Sequence, residues 1–134
     1  MKLDNRLEQS SEFIADLKLC QIRLSRNSAF PWILLIPRRD NITEVIDLSK
    51  EDQLLLMDEI ASLSHLMKDL FKPDKLNIAT LGNIVPQLHL HIIARHTTDP
   101  AWPNPVWNTV SAEYTEEGLE KVISNIQKWI CTSI

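Results

Sequence analysis

The alternation of apolar and polar positions divides the 134-residue chain into elements. Leu3, Leu7, Phe13, Ile14 and Leu17 recur at roughly helical spacing, which predicts a first helix over residues 3–18. Residues 19–25 alternate well enough for a strand, and Asn27-Ser28 make a turn. Trp32 to Ile36 is a short apolar run stopped by Pro37, the pattern of a buried strand. Residues 38–41 form a polar turn. Ser49 is then placed to cap a long helix whose apolar stripe runs from Leu55 to Phe71 and ends before Pro73. Lys75–Leu81 predicts another strand, Gly82-Asn83 a tight hairpin connection, and Val85–Arg95 its partner. Pro100, Pro103 and Pro105 exclude a regular helix over residues 97–108, where Trp102 and Trp107 predict an ordered, extended loop. Thr115 caps a final helix striped by Leu119, Val122, Ile126 and Ile130. The order predicts one α+β domain over residues 1–134. Its antiparallel sheet carries a long connecting helix, with flanking helices on one face.

Composition narrows the function. A formal net charge of −4 argues against a general grip on a nucleic acid polymer, which needs clustered positive charge. The two cysteines, Cys20 and Cys131, lie far apart and form no zinc or disulfide framework, as expected of a cytoplasmic protein. The N-terminus lacks the apolar core of a signal peptide, and no apolar run approaches a membrane span.

One segment points to chemistry. Residues 87–93 read Gln-Leu-His-Leu-His-Ile-Ile. Alternate side chains of a strand share a face, so Gln87, His89 and His91 form a polar row backed by Leu88, Leu90 and Ile92. Three readings fit that row. A metal would need a third or fourth ligand, and neither His65 nor His96 completes an obvious set. A structural role would need several buried hydrogen bonds. In the third reading, a neutral imidazole attacks phosphorus, and a second, protonated imidazole neutralises the phosphoryl oxygens.

The segment resembles the signature of the histidine triad family, His-φ-His-φ-His-φ-φ with φ apolar. Both later histidines and all four apolar positions match, and Gln87 takes the first place. Residues 32–39, Trp-Ile-Leu-Leu-Ile-Pro-Arg-Arg, resemble the family's earlier core strand, and the helix from Ser49 to Phe71 sits where its connecting helix sits. The Trp102-Pro-Asn-Pro-Val-Trp107 tail is similar to that of a bacterial branch with glutamine at the first position. The resemblance implies a nucleotide ligand cleaved at its α-phosphate without a cofactor or metal, in a symmetric homodimer. It implies that His89 is the nucleophile, oriented partly by the backbone carbonyl of Gln87, and that His91 contacts the phosphate. The Gln87 side chain can hydrogen-bond a bridging oxygen but cannot act as an acid. Asn83 stands in for a phosphate-contacting glutamine, and Ile84 falls where serine or threonine is common. Trp32 replaces a histidine that faces the site in many members. These departures leave a nucleotide-binding module with little turnover as the alternative.

Smaller candidates complete the reading. Arg95, at the end of the histidine strand, reads either as a phosphate contact or as solvated, and Asn77 either faces the site by strand parity or caps an edge. Arg38 and Arg39 read as solvated. The tryptophans stack on a base or, more simply, anchor their loop. His65 reads as partly buried scaffold.

Overall fold

The computed structural model describes residues 1–134. A short helix α1 (Asn5–Ser10) leads into strand β1 (Ser11–Asp16), followed by β2 (Cys20–Ser25) and β3 (Trp32–Pro37). A single 3-10 turn (Val45–Asp47) precedes the long helix α2 (Lys50–Phe71). Strands β4 (Lys75–Ala79) and β5 (Leu90–Arg95) and helix α3 (Glu116–Ser133) complete the chain. The five strands form one antiparallel sheet in the order β1-β2-β3-β5-β4. This is the expected α+β architecture, and α2 and α3 pack on one face of the sheet.

The helix ends follow their local chemistry. Ser49 Oγ accepts the Asp52 N–H at 3.1 Å, and Thr115 Oγ1 accepts the Gly118 N–H at 3.0 Å. Each satisfies a donor that the first helical turn leaves unpaired. Lys72 ends α2 in the left-handed conformation.

The predicted helix over residues 3–18 is corrected. Only Asn5–Ser10 is helical, and Ser11–Asp16 forms an edge strand along β2. Spacing alone could not separate the two. Ser10 and Ser11 are poor helix residues, and pairing with β2 buries Ile14 in the main core. His65 is exposed rather than partly buried. The tight Gly82-Asn83 hairpin is also corrected, because residues 80–89 make a wide connection between β4 and β5. Pro86 has no N–H to donate to a ladder. The Leu88 N–H bonds the Ile42 carbonyl instead, at 2.9 Å.

Side-chain alternation sorts the sheet into two faces. Ile22, Leu24, Ile33, Leu35, Leu90 and Ile92 meet α2 and α3 in the larger core. Trp32, Leu34, Ile36 and Ile93 point the other way, against Leu7 of α1 and Phe30, Ala101 and Val106. The residues of interest lie on this second face. Glu59 of α2 is buried at 6% exposure and accepts the backbone N–H groups of Leu19 and Cys20, at 2.9 and 2.8 Å. Its carboxylate thereby pins the β1–β2 turn to the helix. A Glu59→Ala variant leaves two buried donors unpaired. We expect it to lower unfolding free energy by about 2–4 kcal/mol in urea titration, and a change below about 1 kcal/mol would refute the role.

Candidate functional site

Strand register brings the site together. His91 pairs with Leu34 across β3 and with Ala79 across β4, and Trp32 pairs with Ile93. Directly opposed residues share a face. His89 lies just before β5, yet its ring stays beside that of His91, with centroids 5.0 Å apart. Both imidazoles, Trp32 and Trp107 line a cavity of about 550 Å³ that opens to solvent.

Hydrogen bonds assign the two rings opposite tautomers. His89 Nδ1 lies 2.7 Å from the Gln87 carbonyl oxygen. A carbonyl only accepts, so Nδ1 carries the proton and Nε2 keeps its lone pair. Trp32 Nε1–H donates to His91 Nδ1 at 2.9 Å. An indole N–H only donates, so His91 Nδ1 holds the lone pair and Nε2 the proton. One ring thus keeps a lone pair on Nε2, and its neighbour keeps an Nε2–H.

The expectation of a protonated second imidazole is therefore corrected. Burial holds the His91 pKa down, to about 4 from 6.5, and the neighbouring His89 adds to the effect. The unfolded chain binds this proton below pH 6.5 while the folded chain does not, so His91 makes stability fall as pH drops from 6.5 to about 4. NMR titration of the His91 ring should give a midpoint near 4, and one near 6.5 would refute this environment.

The other sequence candidates divide. Asn83 lines the cavity, as does Trp32. The Gln87 side chain does not join the histidine row. It accepts the Asp4 N–H at 2.8 Å and donates to the Lys2 carbonyl at 3.1 Å. Residue 87 lies three positions before β5, and the N-terminal segment supplies its partners in place of the cavity. Arg95 and Asn77 are not in the cavity wall. The Arg95 side chain is 1% exposed, donates to both carboxylate oxygens of Asp99 at 2.7 and 3.1 Å, and reaches Asn77 Oδ1 at 2.9 Å. It also lies over the rings of Phe30 and Trp102. It fixes the 97–108 loop and has no donor directed to the cavity. That loop closes over the chain's own site, because Trp107 packs edge-on against His91 and Trp32 at 5.1 and 5.7 Å. Arg38 donates to the Leu17 carbonyl, and Arg39 pairs with Asp52 at 2.8 Å.

Several wall residues carried no signal in the sequence. Arg6, Ser10, Ser25 and Asn108 all line the cavity. Arg6 is its one cationic wall residue. It is held against the Asp4 carboxylate at 2.9 Å and donates to the Ile84 carbonyl at 2.8 Å. The Asp4 carboxyl is pulled down to about 2, chiefly by that guanidinium. Arg6 and Ile84 are 78 positions apart, beyond the reach of any local pattern. Nowhere in the chain do three His, Cys, Asp or Glu side chains cluster so as to hold a metal ion.

The family profile described as HIT domain matches residues 6–98. Among solved structures, the chain is similar to a histidine triad protein from Bradyrhizobium japonicum, with 43% identity, 96% of this chain and 97% of that chain covered, and a TM-score of 0.94. A histidine triad protein from Marinobacter aquaeolei VT8 shows 40% identity over 99% of this chain and 98% of that one, also with a TM-score of 0.94. A histidine triad protein from Sinorhizobium meliloti 1021 shows 40% identity over 95% of each chain, with a TM-score of 0.92. No curated protein matches the chain. The profile spans most of the sequence, the solved relatives share its full length, and the histidine pair sits at the signature, so the chain belongs to the HIT domain family.

Proposed function

We propose that the protein is a nucleotidyl hydrolase or transferase. It cleaves at the α-phosphate of a nucleoside phosphoramidate or a (di)nucleoside polyphosphate, through a nucleotidyl-histidine intermediate. The observation that carries this reading is the pair of oppositely oriented tautomers facing one open cavity. His89 Nε2 attacks phosphorus, and the Gln87 carbonyl holds its Nδ1–H and stabilises the positive charge that the ring acquires. His91 Nε2–H donates to a phosphoryl oxygen. Arg6 supplies the positive charge at the cavity wall, and Asn83 a neutral polar contact. As the bond to His89 forms, the bond from phosphorus to the leaving group breaks with its electron pair on that group; water then attacks the phosphorus, its proton passes to solvent, and His89 leaves as neutral imidazole.

The membership of a branch with glutamine at the first signature position, a homodimeric state and a cytoplasmic location belong to the same proposal. The unpaired edge of β4, with Ile78 and Leu81 exposed nearby, supports assembly, and two free thiols support a reducing compartment.

The second reading is a nucleotide-binding module with little turnover, favoured by the engagement of the Gln87 side chain outside the cavity. Intact-mass analysis separates the two after mixing with a diadenosine polyphosphate. A nucleotide adduct that forms and decays supports the enzyme. Measurable AMP affinity with neither adduct nor turnover supports the binder.

A further inference from the structure

The cavity wall contains a nucleophile, hydrogen-bond donors and one guanidinium, but no group placed to deliver a proton to a leaving group. His89 presents a lone pair. His91 cannot become a cationic acid while Trp32 Nε1–H occupies its Nδ1, and no carboxylate faces it, its ring neighbours being His89, Trp32 and Trp107. The Gln87 amide is neutral and engaged by Lys2 and Asp4. Asp4 is an ionised carboxylate clasped by Arg6, and a guanidinium does not give up its proton in proteins. Ser10, Ser25, Asn83 and Asn108 are neutral side chains without acidic protons at working pH.

Leaving groups differ in what this lack costs them. When His89 Nε2 forms its bond to the α-phosphorus of a phosphoanhydride, the P–O bond breaks and its electron pair departs on a phosphate oxygen. That anion is stable at neutral pH and needs no proton. Breaking the P–N bond of a phosphoramidate puts the electron pair on nitrogen, which must gain a proton to leave as an amine. Resting on the nucleotidyl-transfer reading above, we infer that this site selects phosphoanhydrides of a nucleoside monophosphate over phosphoramidates, and that the Trp32–His91 hydrogen bond sets the preference. Trp32 is thus a positioning residue, acting through His91.

The test compares kcat/KM for diadenosine tetraphosphate and for adenosine 5′-phosphoramidate at neutral pH. A positioned general acid contributes roughly 100-fold or more, so we expect the anhydride to be favoured by about that factor. A phosphoramidate cleaved as fast as the anhydride overturns the inference and leaves the nucleotidyl-histidine mechanism standing. No turnover of either compound, with no adduct, removes both. A Trp32→Phe variant keeps an aromatic wall but frees His91 Nδ1 to take a proton. Measured at pH 5, the variant's phosphoramidate-to-anhydride ratio should exceed that of the parent protein by at least about threefold and should fall again as pH rises, because only a protonated His91 delivers the leaving-group proton. An unchanged ratio, with circular dichroism matching the parent protein, overturns the role given to Trp32.

Discussion

Replacing His89 by asparagine is expected to leave a folded protein that forms no nucleotide adduct and turns over substrate at least about 1,000-fold more slowly. The asparagine amide can still donate to the Gln87 carbonyl, which the His89 Nδ1–H meets at 2.7 Å in the native chain. Stability should therefore change by no more than about 1–2 kcal/mol. What the substitution removes is the Nε2 lone pair, for which no other wall residue substitutes. Intact mass after mixing with diadenosine tetraphosphate reads the adduct, and product release reads the rate. Equal rates in the two proteins would end the proposed mechanism.

Arg95→Ala is expected to have the largest effect on stability. The guanidinium is 1% exposed and its partner Asp99 is 7% exposed. Truncating one member of a buried pair leaves the other charge uncompensated, at a cost of about 3–5 kcal/mol. Some compensation remains, because Asp99 also accepts the backbone N–H groups of His96, Ala101 and Trp102. Urea unfolding measures the loss, and a value below about 1 kcal/mol would refute the anchoring role. The same variant should weaken AMP binding, since Trp107 reaches the cavity on this loop. The acid limb carries a second signature. The Arg95 guanidinium holds the Asp99 carboxyl down, to about 2 from 3.8. That stabilisation is complete above pH 3.8 and fades as pH falls to about 2, so the native protein should lose more stability across this window than the variant.

Much of this site could be read from residue order, and the failures share a cause. The capping serine and threonine, Pro37 and the alternation through residues 88–93 all act locally, and each marked its element. The shared face of His89 and His91 follows from the period of a strand. Residues 11–16 misled because an edge strand draws its stability from β2, which spacing within the segment cannot show. Gln87 misled because its partners are Lys2 and Asp4. Arg95 has the charge and position of a phosphate ligand, and only the location of Asp99 and Asn77 shows that it is already satisfied. Arg6 was invisible for the same reason. The tautomers of the two histidines depend on contacts that fold-back creates, one of them from Trp32, 59 positions away.

The Trp107 wall has a practical consequence for anyone trimming this protein. A fragment cut at the limits of the family profile, residues 6–98, would keep both imidazoles and every signature position. It would discard the indole that flanks them, the aspartate that clasps Arg6 and the helix whose Ile126 plugs the main core. Such a minimal domain would carry the motif without the chamber, so functional assays call for the full 134 residues.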